Sequence, residues 1–123
     1  MVRRNLDGLM RGCLVDWAYD GSNPQVNDYM NNKLFEGHFK DAKRWSLPAL
    51  NIQRGRDHGL RSYNAYRSLC GLKRAKDFSD LSNTIPTRII KKLRKFYDGP
   101  EDIDLFTGLF SETPLKNGML GPT

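Results

Sequence analysis

The stretch Leu47-Pro48-Ala49-Leu50-Asn51-Ile52-Gln53-Arg54-Gly55-Arg56-Asp57-His58-Gly59 concentrates residue types that can do chemistry. Wound as a helix, it places Leu47, Leu50, Asn51 and Arg54 at i, i+3, i+4 and i+7, one above another on a single face. That face offers two apolar side chains, one amide and one guanidinium. The set suits a flat apolar ligand with an acidic edge: leucines against the plane, Asn51 orienting a polar group, Arg54 holding a carboxylate. An ordinary core helix would present the same face, with Asn51 satisfying a buried backbone group and Arg54 reaching to water. Spacing alone favours the ordinary core helix, because one helical face matches many ligands. His58 continues the stripe and, as one of only two histidines, is a nominal metal ligand. His38 stands in a polar stretch with no partner pattern.

The elements that must position these residues read as helices. Leu6, Leu9, Met10, Cys13, Leu14 and Trp17 recur at helical spacing and form one stripe. Gly21-Ser22-Asn23-Pro24 breaks the chain, with Asn23 a good N-cap and Pro24 at the tolerated first helical position. Val26, Met30 and Leu34 then share a face, and Gly37–Trp45 is polar, basic and loop-like. Ser46 followed by Pro48 starts a helix that Gly59 terminates, and Ser62 caps another that Gly71 stops. Pro86 leads into a helix ended by Asp98-Gly99-Pro100, after which Ile103, Leu105 and Phe106 allow at most a short helix. The tail Thr113–Thr123 is mostly turn. The pattern predicts an all-α chain with helices near 5–19, 24–36, 46–58, 62–70 and 86–97, and nowhere shows sustained period-2 alternation.

At 123 residues the chain fits one domain with a real core. No apolar run approaches the ~20 residues of a membrane helix, and no apolar leader follows Met1-Val2-Arg3-Arg4. Two cysteines are too few for a disulfide framework or a paired-Cys zinc site. Twenty Lys plus Arg against 14 Asp plus Glu leave a net charge of +6, which permits an anionic partner. The largest group, Arg88, Lys91, Lys92, Arg94 and Lys95, lies beside Ile85, Ile89, Leu93 and Phe96 and reads first as the solvated face of an amphipathic helix. No nucleic-acid motif accompanies it, and neither nucleic acid nor a membrane is expected as partner.

Ala49-Leu50-Asn51-Ile52-Gln53-Arg54-Gly55-Arg56-Asp57-His58-Gly59-Leu60, with Tyr63-Asn64 and Cys70-Gly71-Leu72, resembles the animal-type haem peroxidase family, the peroxidasin, peroxinectin and myeloperoxidase-like group. Asp102-Ile103-Asp104-Leu105-Phe106-Thr107-Gly108, Ser111-Glu112 and Leu120-Gly121-Pro122-Thr123 carry a second match. Leu9-Met10-Arg11-Gly12 and Asn31-Asn32-Lys33-Leu34-Phe35 carry a third. The blocks keep the family's order and spacing across nearly the whole chain.

The resemblance implies residues 1–123 of an all-α, partial haem peroxidase domain. Haem would be the cofactor, hydrogen peroxide the oxidant and response to oxidative stress the setting. It implies that Asn51 accepts the ring N–H of a proximal haem-ligating histidine, that Arg54 pairs with a haem propionate, and that Leu47 and Leu50 line the proximal side. In the family that histidine, the distal histidine, the catalytic arginine, the ester-linking carboxylates and the calcium loop all precede the position of Met1. His58 is then structural. The expectation is an internal, C-terminal-side piece of a secreted enzyme, inactive alone and binding haem weakly, without a metal site or signal peptide of its own. The alternative is a non-catalytic basic helical module derived from a peroxidase gene. Two positions depart from the family pattern: Ser46, where an acidic residue is usual, and Leu109, where a second glycine allows a tight turn. Cys70 matches a cysteine whose disulfide partner lies beyond Thr123 and is expected as a free thiol, unbridged to Cys13, which reads as core.

Overall fold

A computed structural model describes residues 26–34, 36 and 45–123. The expected helix over 5–19, Cys13 with it, lies outside the described residues. Within them the chain is helical, in line with the all-α expectation. In order come α1 (Asp28–Asn32), α2 (Leu47–Asp57), α3 (Tyr63–Leu69), a 3₁₀ helix (Phe78–Asn83), α4 (Thr87–Leu93), a second 3₁₀ turn (Pro100–Asp102) and α5 (Leu105–Ser111).

The capping signals act where the sequence puts them. Ser46 Oγ accepts from the Ala49 N–H at 3.4 Å and opens α2, with Pro48 in its first turn. The His58 N–H closes α2 on the Arg54 carbonyl at 3.0 Å, and Gly59 follows at φ +65°. Ser62 Oγ accepts from the Ala65 N–H at 3.3 Å to open α3, which Gly71 ends at φ +80°.

Three boundaries differ from expectation. Only Asp28–Asn32 of the predicted 24–36 helix is helical among the described residues. Leu34 instead pairs its backbone with Trp45, N–H to carbonyl in both directions at 3.2 and 3.4 Å. Asn31 and Asn32 propagate a helix poorly, so a tertiary backbone partner prevails there. The helix expected to reach residue 97 ends at Leu93, because the next turns tighten: Lys95 and Phe96 donate to the carbonyls of Lys92 and Leu93, both at 3.0 Å. The 3₁₀ helix Phe78–Asn83 was not foreseen. Asp80 Oδ2 accepts from the Lys76 and Asp77 N–H groups at 2.8 and 3.2 Å, and Asp77 caps Ser79, so local carboxylates build it.

The core comprises Tyr63, Ala75, Phe78, Leu81, Ile85, Ile89, Ile90, Leu93 and Ile103. It therefore sits among α3, the first 3₁₀ helix, α4 and the strap before α5. Asn64, buried in α3, doubly pairs with the backbone of Ala75, donating to its carbonyl and accepting from its N–H at 2.8 Å each. By contrast α2 has no buried residue. It lies against α5 rather than inside the core.

Candidate functional site

The helix with the reactive residue types thus has no fully buried residue. Its Asn51, Arg54, Gly55 and His58 line a hollow of about 290 Å³ whose other wall is Leu60, Leu105, Phe106 and Leu109. Asn51 and Arg54 share this hollow, Asn51 half-buried and Arg54 exposed at its edge. Leu47 and Leu50 are half-buried on the same helix but are not among the residues lining the hollow. His58 lines it with an exposed ring; its contribution to the fold is the backbone cap on Arg54.

The two arginines of α2 differ sharply. Arg56 forms a fork on Asp104, Nε to Oδ1 at 2.9 Å and Nη2 to Oδ2 at 2.7 Å. Tyr97 donates its hydroxyl to the same Asp104 Oδ2 at 2.9 Å and lies 3.1 Å from Thr107 Oγ1. Hydrogen bonds from Arg56 and Tyr97 hold the Asp104 carboxyl below the usual carboxylate range, against the opposing effect of burial. Burial pushes the Tyr97 phenol up. Arg54, two residues earlier and turned to another side of the helix, has no hydrogen-bond or ion-pair partner among the described residues, and the Asn51 amide has none either. Among the described residues Asn51 thus satisfies no buried backbone group, as a plain core helix would have it do, whereas the exposure of Arg54 is compatible with either reading.

Sequence reasoning missed the opposite wall and the clamp. Leu109 was expected to disturb a tight turn, yet residues 105–111 are helical and Leu109 lies in the apolar wall of the hollow. The glycine that matters is Gly108. A Cβ there would overlap the ring of Tyr63, so α3 and α5 touch through it. Ser46, the other departure, is the α2 cap and also donates to Asn31 Oδ1 at 3.1 Å.

A second polar cluster lies behind this contact. Tyr63 donates to Glu112 Oε1 at 2.6 Å, and burial pushes the phenol up. Arg67, 1% exposed, donates to Tyr63 Oη at 3.2 Å and to Thr84 Oγ1 at 2.6 Å. Glu112 also accepts from Thr123 N–H and Oγ1 at 3.0 and 2.6 Å, which ties down the tail. Cys70 is a free, exposed thiol donating to the Thr123 carbonyl at 3.2 Å. Arg88, Lys91, Lys92, Arg94 and Lys95 are all exposed, as a solvated face requires, although Arg94 pairs with Asp77 at 3.3 Å. No helix among the described residues is long and apolar enough to cross a membrane. No group of three or more His, Cys, Asp and Glu could hold a metal ion among them.

The all-α character of the described residues agrees with what comparison shows. The family model for animal haem peroxidase matches residues 1–123. The chain is 39% identical over 119 residues to peroxidasin of Drosophila melanogaster, covering 95% of the chain and 8% of that protein. It is 43% identical over 94 residues to heme peroxidase 2 of Caenorhabditis elegans, covering 76% and 13%. To human thyroid peroxidase it is 39% identical over 121 residues, covering 95% and 12%. The chain belongs to the animal haem peroxidase family. It spans roughly a tenth of the length of these relatives, 8% to 13%. Membership implies haem as the family's cofactor and hydrogen peroxide as its oxidant.

Proposed function

We propose that this chain forms the proximal-side wall of a haem site in an extracellular peroxidase, with the iron-ligating histidine supplied from outside residues 1–123. The observation that carries the reading is the contrast on α2. Arg56 is engaged by Asp104, whereas Arg54 and Asn51 border one apolar hollow with no side-chain partner among the described residues. The donor set fits the edge of a flat macrocycle bearing carboxylates. Leu105, Phe106 and Leu109 accept apolar surface, and Arg54 offers a charged fork to a propionate.

In this reading the Asn51 side-chain carbonyl accepts the ring N–H of the ligating histidine, which fixes its tautomer and strengthens it as a donor. Arg54 neutralises a propionate, and Leu47 and Leu50, half-buried earlier on α2 and outside the hollow itself, exclude water along the proximal side beyond it. His58 serves as a backbone cap and not as an iron ligand. Haem, when bound, supplies the redox chemistry with peroxide. The chain's own residues orient and neutralise; splitting the O–O bond needs a distal acid–base that this reading places elsewhere, so the chain alone is inactive. This reading places the calcium site of the family outside residues 1–123 as well.

The test is a spectrophotometric titration of the 123-residue chain with ferric haem, imidazole standing in for the histidine, repeated with haem dimethyl ester. The wild-type chain is expected to bind haem weakly but about fivefold better than the diester, and Arg54→Gln to abolish that preference. Equal affinity for haem and diester in the wild type, or a preference that survives Arg54→Gln, overturns the assignment.

A further inference from the structure

We propose that Asp104 is a positioning residue for the haem-facing helix: through Arg56 it sets the rotation of α2 and hence where Asn51 and Arg54 point. The inference rests on the haem-facing reading for its functional consequence, but the clamp has its own geometry. Helix α2 has half-buried but no fully buried side chains, so apolar packing fixes its rotation less tightly than that of a core helix. Among the described residues, the two bonds from Arg56 to Asp104 are the only side-chain hydrogen bonds that leave α2. A two-point fork restrains rotation as well as distance, which a single bond does not.

Asp104 is placed to fix both walls at once. It is the residue before α5, whose Leu105, Phe106 and Leu109 face Asn51 and Arg54 across the hollow. Its carboxylate is only 14% exposed and is held from the other side by the Tyr97 hydroxyl. Tyr97 in turn packs against the core. The chain of contacts therefore runs from the core through Tyr97 and Asp104 to Arg56, and ends on the helix that carries the unengaged amide and guanidinium. Without it, α2 loses its angular reference and, having no fully buried residue to hold it, opens its backbone hydrogen bonds more often.

Two readouts on the full chain test this. The first is amide hydrogen exchange, resolved by segment. Asp104→Asn and the more exposed Arg56→Gln are each expected to raise exchange over residues 51–57 at least tenfold, while the α4 amides keep their protection. The second is the haem-to-diester preference described above. It is expected to fall from about fivefold to below twofold in both variants, with Arg56→Lys restoring part of it. Loss of fold would move every segment together, and if Asp104→Asn behaves so, Arg56→Gln decides. Unchanged exchange over α2 in a folded variant overturns the clamp, and so does an intact preference. If the wild-type chain itself shows no preference, the haem reading falls, and the exchange data judge the clamp alone.

Discussion

Arg54 and Arg56 are two residues apart on one helix, identical in type, and opposite in use. The difference is angular: positions i and i+2 on a helix do not face the same neighbour. One meets Asp104 and the other meets the hollow. Gly108 makes a similar point for packing. In an exposed helix, alanine in place of glycine would gain about 1 kcal/mol. Here the added methyl would overlap the Tyr63 ring, which is fully buried and tethered through its hydroxyl to Glu112 at 2.6 Å, so the ring has nowhere to retreat. Gly108→Ala is expected to destabilise the chain by about 1–3 kcal/mol, read as a lower urea midpoint at unchanged slope. A midpoint at or above wild type would show that the α3–α5 contact can relax.

At the scale of elements, α2 depends on its ends and on its clamp, because burial contributes little to it. Its first turn relies on Ser46, whose Oγ accepts from the Ala49 N–H and donates to Asn31 of α1. Ser46→Ala removes both and is expected to cost about 1 kcal/mol in chemical denaturation. Ser46→Asp keeps a capping oxygen, adds a charge favoured by the helix dipole, and is expected to match or exceed wild type by up to ~0.5 kcal/mol. If alanine and aspartate behave alike, the cap is not what starts the helix. The 3₁₀ helix Phe78–Asn83 shows the other extreme, a short element whose reciprocal Asp77 and Asp80 caps sit over buried Phe78 and Leu81.

The whole molecule is held at its periphery by carboxylates in contact with donors. Asp104 is lowered by Arg56, Glu101 by Arg74, and Asp80 by the backbone N–H groups of Lys76 and Asp77. A carboxylate whose folded pKa lies below its unfolded value contributes stability that is fully present above the unfolded pKa, about 4, and is lost as pH falls through the folded one. Stability is therefore expected to be flat on this account from pH 7 to about 5, then to fall steeply in acid. The double variant Asp104→Asn, Glu101→Gln should be less stable at neutral pH and should show a shallower acid limb, measured as thermal midpoint against pH. An acid limb as steep as wild type would mean that other groups carry the acid transition.

How much was legible in the sequence depends on the range of the interaction. Helix starts at Ser46 and Ser62 and stops at Gly59 and Gly71 were readable, because a cap and a left-handed glycine act within a few residues. The shared face of Asn51 and Arg54 follows from helical period alone, and family membership follows from motif order along the chain. What they face does not. The wall of Leu105, Phe106 and Leu109 lies some fifty residues further along, and periodicity carries no information at that separation. The same holds for the fork between residues 56 and 104 and for the Leu34–Trp45 bridge that shortens the predicted second helix. Residue type could not show that Arg56 would be engaged and Arg54 left without a partner. Only the packing of α5 beside α2, set by Gly108 against Tyr63 and by Asp104 before α5, decides which arginine the protein keeps for itself.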